Sequence, residues 1–535
     1  MRLLLSDRFH IKERHILAVI IFVAEFVRFF MLGRLPGGIA QDEAYAAYNA
    51  YGIMTEGMDS FGYRFPVYFM AWGDGMNVLY SYLVVPFFSL FGISMTVYRL
   101  PMAIMGVVTV FFSYLVGREL SGEKFGVFFA FIMAINPWNI VNSRWGLESN
   151  LAPALFLITV FFLLKAINKD IKYLIPAGIF AGLSLYAYAV VWLVLPLFLV
   201  CAAIVFRKKL FPKGIGRYHI IAGLLLFALA LPLLLFVAVN MGIIPEIRTD
   251  IISIPRLILF RSNELDFRNI IDNLRPAFEI LVFQRDSAYP QLTNNSVGSY
   301  YSFTTVFSIF GIACMLYELI KGRREEPKHE YIMLIWLAAA FIVCIIKSEP
   351  TVTHFNLLHI PMIFFGAYGI WSVGELVKMK AYLPIVTVFF SVSFIFFVLD
   401  YFVSAAYTSY NFVEYEIEDV LDYSKEKLGE EGHINIIGYD TLNYGILLYE
   451  ELPKPEDFIQ NADIGFMENV TYRFALHGYG KYRYLDLSSP EEISSEDIVK
   501  GDVYMFRGNS NGTFEDDALY EVRHFSEAFS VAYMK

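Results

Sequence analysis

Pro36-Gly37-Gly38-Ile39-Ala40-Gln41-Asp42-Glu43-Ala44-Tyr45 follows closely on an apolar run, Ile16 to Leu32. That run is long enough to cross a bilayer, so two adjacent carboxylates stand where a membrane helix emerges. Acidic side chains at a membrane face are costly unless hydrated, paired or functional, and they mark a site by default. The plainer alternative is that Asp42 caps a helix starting at about Ala44, with Glu43 in its first turn.

Working outward, the composition supports a membrane setting. Of 535 residues, 57% are hydrophobic and 17% aromatic, and the mean hydropathy is +0.51, more apolar than a soluble chain of this length carries. The first span lacks a small-x-small cleavage pattern and reads as an anchor rather than a cleaved leader. Further spans are expected near 100–117, 126–141, 151–166, 173–189, 190–206, 219–239, 301–320, 331–346, 357–375 and 381–400, making about 11 crossings. Leu79 to Phe91 is apolar but too short to cross, and reads as a re-entrant or interfacial helix. With that choice the basic connections, including Arg207-Lys208-Lys209 and Arg323-Arg324, fall on the side of the basic N-terminus. Positive charge marks the cytoplasmic side, so residues 33–99, 142–150, 240–300 and 347–356 face outward. Glu25 and Arg28, one turn apart in the first span, are expected to pair. Residues 240–300 carry an amphipathic helix, Phe267 to Phe283.

The tail differs in kind. Residues 411–535 hold 26 acidic against 10 basic side chains, whereas residues 1–410 hold 26 against 32. This is a water-soluble domain on the outer side, and its acidity excludes nucleic acid and docking on an anionic bilayer. Strands at Ile434–Ile437 and Val503–Phe506 and helices at Asp419–Leu428 and Leu442–Tyr449 predict an α/β fold. The three cysteines, Cys201, Cys314 and Cys344, lie in apolar runs and form no disulfide or zinc pattern.

A second polar segment, Asn136-Pro137-Trp138-Asn139-Ile140-Val141-Asn142-Ser143-Arg144-Trp145-Gly146-Leu147-Glu148, is a minimal outer loop. Arg144 and Glu148 either close it as an i,i+4 pair or face a cavity, and both can hold. A third, Lys347 to Asn356, carries Lys347 and His354. Carboxylates can take a proton from a hydroxyl nucleophile, and cations can hold a departing phosphate. Asp42, Glu43 and Glu148 could also ligate a divalent ion. Asp74 reads as part of an ordinary Gly-Asp-Gly turn.

Taken together, the Asp-Glu opening of the first outer loop, Arg99-Leu100-Pro101 opening the next span, and Asn-Pro-Trp…Ser-Arg-Trp-Gly-Leu-Glu resemble the GT-C membrane glycosyltransferases. That group includes protein O-mannosyltransferase-like enzymes of the glycosyltransferase family 39 type and the lipid A aminoarabinose transferase. The resemblance covers residues 15–170 well and is topological beyond. It implies a polytopic α-helical GT-C fold, to which the tail from about residue 411 adds the soluble α/β domain read above, and a polyprenyl-phosphate sugar as donor. It implies Asp42 as base for an acceptor hydroxyl, Glu43 completing the motif, Glu148 positioning a substrate, and inversion at the anomeric carbon. The lysine that contacts the donor phosphate in the aminoarabinose transferase has no counterpart in Gly73-Asp74-Gly75-Met76-Asn77. Arg144, Lys347 and His354 are the replacements to consider, with Arg64, Arg261 and Arg285 behind them. A transporter or flippase, or a non-catalytic subunit handling lipid-linked envelope precursors, is the alternative. A transporter would place ionisable groups at mid-membrane, whereas here they gather in outer loops.

Overall fold

The computed structural model describes residues 11–260, 267–286, 297–321, 327–347, 351–403, 416–438, 441–465, 475–525 and 528–535. The chain divides into two compact units, the first made of Met1–Gly33, Arg99–Leu234 and Arg261–Tyr407, the second of Arg34–Tyr98, Leu235–Phe260 and Thr408–Lys535. In chain order, α1 (Ile11–Phe29) is followed by α2 (Gln41–Glu56), the hairpin β1 (Phe69–Ala71) and β2 (Asp74–Met76), and α3 (Leu79–Phe91). Then come α4 (Met95–Ser121), α5 (Glu123–Ala134), α6 (Pro137–Asn142), α7 (Glu148–Asn168), α8 (Leu174–Leu185), α9 (Val191–Val205), the single turn α10 (Arg207–Leu210) and α11 (Arg217–Asn240). A ribbon of β3 (Ile247–Arg248) and β4 (Ser253–Ile254) precedes α12 (Ile270–Phe278), α13 (Thr304–Lys321), α14 (Tyr331–Ile346), α15 (Asn356–Val377) and α16 (Tyr382–Val403).

Six described helices are long and apolar enough to cross a membrane: α4, α7, α11, α13, α15 and α16. The chain is therefore a multi-pass membrane protein. The spans expected at 173–189 and 190–206 are two shorter apolar helices, α8 and α9, joined by residues 186–190. The span expected at 126–141 is instead broken into α5 and α6. The cause is local: the Asn136 side chain accepts the Asn139 N–H and Pro137 occupies the first helical position, a pair of residues that starts a new helix. The amphipathic stretch continues from α12 through a wide turn, Glu279–Phe283, with Ala277, Ile280 and Leu281 buried.

The expected Glu25–Arg28 pair does not form. Arg28 is fully buried and donates to the carbonyls of Ala24 (3.0 Å) and Ala134 (3.2 Å) and to Asn139 Oδ1. Buried acceptors on α1, α5 and α6 outcompete the exposed Glu25 carboxylate, because a buried guanidinium needs its donors satisfied. Glu25 lines an open groove with Phe22, Phe26, Phe29 and Phe30 of α1 and Ile104, Val107 and Val108 of α4. Elsewhere α13 and α15 cross at glycines. A Cβ on Gly369 would lie 2.1 Å from the Phe307 carbonyl oxygen, and one on Gly311 2.3 Å from that of Phe365.

In the second unit, α3 is 13 residues long, with Pro86 inside it. The tail adds α17 (Ile417–Lys427), β5 (Ile434–Ile437), α18 (Tyr444–Glu451), α19 (Pro455–Asn461), β6 (Asp463–Gly465), β7 (Ala475–Tyr479), β8 (Tyr482–Leu485), β9 (Val503–Arg507), β10 (Tyr520–Phe525) and β11 (Phe529–Met534). Its seven strands lie in the order β10-β11-β9-β5-β8-β7-β6, with β5 parallel to β8 and β9 and the other pairs antiparallel. One face packs Ile437, Tyr504, Phe506, Phe514 and Tyr520 into a core. The second unit thus joins residues 34–98 and 235–260 to the tail. The buried run Ala44 to Ala50 of α2 explains the need, since a helix hidden on most sides must find covering surface beyond its own loop.

Candidate active site

In the second unit, α2 starts at Gln41, with Ala40 extended before it and no side-chain cap. Asp42 and Glu43 are therefore its second and third residues, and Asp42 is not the cap of a helix beginning near Ala44. Carboxylates in a first turn face unpaired N–H groups and the positive end of the helix dipole. Asp42 is half-buried and Glu43 fully buried. One turn on, the buried Tyr45 hydroxyl donates to the Met70 carbonyl (2.6 Å) and shares a 2.9 Å bond with Ser60 Oγ. Asn49 accepts the Ser60 N–H (2.9 Å) and donates to the Tyr45 carbonyl (2.9 Å). These bonds fix the inner face of α2 against residues 58–70.

The loop that closes α2 holds a buried Asp59, whose Oδ1 accepts the N–H groups of Phe61 and Tyr63, each at 2.9 Å. Burial pushes its carboxyl up to about 7, against the pull of those N–H groups and of Arg248. The β1–β2 hairpin turns on Trp72 and Gly73, at φ 50° and 92°. Both central residues in the left-handed region define a type I′ turn, so the turn lies one residue earlier than Gly73-Asp74-Gly75, and Asp74 opens β2. A tryptophan there is strained. Its ring sits 5.2 Å from Tyr45 and 6.1 Å from Tyr444, and its backbone N–H donates to the Tyr444 hydroxyl (3.3 Å). Arg64 is half-exposed beside Asp250 (3.8 Å).

In the first unit, Arg144 is fully buried. It donates to the carbonyls of Val27 (2.8 Å), Arg28 (3.0 Å) and Phe30 (2.8 Å), at the end of α1, and lies over the rings of Tyr401 and Phe402. Glu148 is the first residue of α7 and half-buried. Just after it, Ser149 and Asn150 meet Asn356 at the start of α15, a residue absent from the sequence-predicted site. Asn356 donates to Asn150 Oδ1 (2.9 Å) and Ser149 Oγ (3.3 Å), and accepts from Asn142 Nδ2 (3.3 Å) and Trp138 Nε1 (3.4 Å). One turn on, His359 is buried, bonded to the Tyr300 hydroxyl (2.7 Å), with its ring tilted against Trp138 at 4.6 Å. An amide and an imidazole opening an apolar helix were the available signal.

Asn356 closes the polar segment that holds Lys347 and His354. Lys347 Nζ lies 2.8 Å from His354 Nε2. A lysine ammonium only donates, so His354 accepts at Nε2. Asn273 donates to the Ile345 carbonyl (2.9 Å) and the Lys347 carbonyl (2.5 Å), and Asp286 accepts the Val352 N–H (2.6 Å). The first unit therefore links the segments of Glu148 and of Lys347 and His354, while Asp42 and Glu43 belong to the second. Arg285 is exposed, and Arg261 lies outside the described residues. Among the described residues no group of three or more His, Cys, Asp or Glu side chains is placed to hold a metal ion.

Residues 77–236 match the family model described as dolichyl-phosphate-mannose-protein mannosyltransferase. Comparison with curated proteins finds no significant match. Among solved structures, ArnT from Cupriavidus metallidurans in the apo state superposes with a TM-score of 0.57 at 13% identity, covering 97% of this chain and 98% of that one. The same protein bound to undecaprenyl phosphate gives 0.58 at 14%, covering 96% and 97%. The oligosaccharyltransferase of Archaeoglobus fulgidus, tethered to an acceptor peptide, gives 0.51 at 14%, covering 83% of this chain and 63% of that one. The similarity to ArnT extends over nearly the whole length of both chains, and it shows that this chain has the GT-C fold, polytopic and α-helical with a C-terminal sheet domain.

Proposed function

We propose that this protein transfers a sugar from a polyprenyl-phosphate-linked donor to an acceptor hydroxyl on the outer face of the cytoplasmic membrane, with its N-terminus inside. The observation that carries the reading is the Asp42-Glu43 pair in the first turn of α2, in a chain whose fold is that of a protein captured with undecaprenyl phosphate. Asp42 takes the proton of the acceptor hydroxyl. The freed oxygen attacks the anomeric carbon, the bond from that carbon to the phosphate oxygen breaks, and the polyprenyl phosphate leaves with the electron pair. Displacement from the opposite face inverts the anomeric centre. Phosphate is a good leaving group, so no general acid is needed.

Glu43 supports Asp42 as the buried member of the pair, and Glu148 positions a substrate from the head of α7. Lys347, with His354 orienting it, supplies positive charge to the departing phosphate. Arg144 serves through the loop it holds against α1. The acceptor is a protein, lipid or envelope-glycan hydroxyl.

The test is transfer from a panel of radiolabelled polyprenyl-phosphate sugars to native membrane extract, with purified wild type beside Asp42→Asn. Label should move only with wild type, identifying the sugar. Equal transfer by Asp42→Asn would remove Asp42 as the base. No transfer from any donor by folded protein would turn the reading to a transporter or a non-catalytic subunit. Lys347→Ala should weaken use of the donor by ~10- to 100-fold, the worth of one charge-assisted hydrogen bond, read as a raised donor KM.

A further inference from the structure

We infer that the C-terminal domain sets the position of the acidic first turn of α2, through Asn443, Tyr444 and Gly445 at the head of α18; this rests on the reading of Asp42 as the base. The residue before Asp42 is the contact point: Asn443 Nδ2 donates to Gln41 Oε1 (2.9 Å). Asn443 is itself held, because its Oδ1 caps α18 by accepting the Gly445 N–H (2.9 Å). One side chain thus starts a tail helix and grips the start of α2.

The approach is as close as glycine permits. A Cβ on Gly445 would lie 3.0 Å from Tyr45 Cβ and 3.4 Å from the Gln41 carbonyl oxygen. The adjacent Tyr444 ring meets Tyr45 edge-on at 5.7 Å, and its hydroxyl receives the Trp72 N–H at the strained turn. Asn443, Tyr444 and Tyr45 are all buried. The grip continues along α2. Tyr48 donates to the Pro453 carbonyl (3.0 Å), Gly52 faces Pro455, and Glu56 accepts the Glu456 N–H (3.1 Å).

A domain that only covered apolar surface would need none of the polar contacts at Gln41. Here the tail fixes the helix at the residue preceding the base, so displacement of this turn changes the distance over which a proton moves. Asn443, Tyr444 and Gly445 are positioning residues, since they act through α2.

The experiment uses the full chain, with the donor sugar that wild type accepts. Asn443→Ser keeps a cap on α18 and loses the reach to Gln41, and Gly445→Ala adds the methyl against Tyr45. Each should lower kcat by ~10- to 100-fold, the scale expected of a misplacement near 1 Å. The donor KM and the thermal midpoint should stay near wild type. Gln41→Ala should reproduce the Asn443→Ser loss, and the double variant should lose no more than either alone, because both remove one contact. Wild-type kcat in Asn443→Ser and Gly445→Ala, or a loss that only follows a lowered midpoint, would overturn the inference. Asp42→Asn is measured alongside. If it is inactive while the tail variants are normal, only the inference fails; if it is active, the base assignment fails.

Discussion

At the residue scale, buried polar side chains do more than the exposed ones. Asp59 is held to about pH 7 by burial, from an ordinary 3.8. Between those values the folded protein keeps a proton that the unfolded chain has lost. Its share of stability is therefore present below about pH 4, falls as pH rises towards 7, and is flat above. Asp59→Asn still accepts the Phe61 and Tyr63 N–H groups and never ionises. Its thermal midpoint should change less than that of wild type between pH 5 and 8, and should be the higher of the two at pH 8. An unchanged slope would mean that Asp59 is already ionised in the folded protein. Glu450, also raised to about 7 by burial and by Glu418, acts in the same sense in both proteins and cancels from the difference. Asn356→Ala should cost on the order of 2–4 kcal/mol, because it strands several buried partners at once; scanning calorimetry in detergent would read it. The carboxylates of the candidate site were legible because charge beside an apolar run is conspicuous. Asn356 and His359 were not, since each is a single polar residue in an apolar helix and its partners lie far away in the chain.

At the element scale, apolar runs located most of the membrane helices, because crossing a bilayer demands length and apolarity that a sequence displays directly. The break between α5 and α6 is present in the sequence as Asn136-Pro137, where capping chemistry overrides the length of the apolar run. The Glu25–Arg28 pairing failed for another reason: spacing along one helix says which residues are neighbours, not which acceptors a second helix offers. Helix crossings were equally hidden. The α13–α15 contact depends on Gly311 and Gly369, where backbones meet without side chains between them. Gly369→Leu should prise the two helices apart, destabilising the protein by roughly 1–3 kcal/mol or more, whereas Gly223→Leu, facing open space, should leave the midpoint unchanged. Equal midpoints for the two variants would contradict the close crossing.

At the scale of the whole molecule, the basic connections predict which side each loop faces. A single cysteine replacing Lys213 should react with an impermeant maleimide only after the membrane is opened, and one replacing Asp250 should react in intact cells; the reverse pattern would invert the topology. The strands of the tail at Ile434–Ile437 and Val503–Arg507 were legible from their apolar runs. That the tail shares a unit with residues 34–98 was not, because no local pattern records which distant segment covers a helix. One consequence reaches beyond the finished protein. Gln41 and Asn443 meet across 402 positions of chain, and at ~5–20 residues per second a ribosome needs roughly 20–80 seconds to travel between them. Throughout that interval the first turn of α2 lacks its Asn443 partner, so the two ends of this contact meet only after most of the chain has been translated.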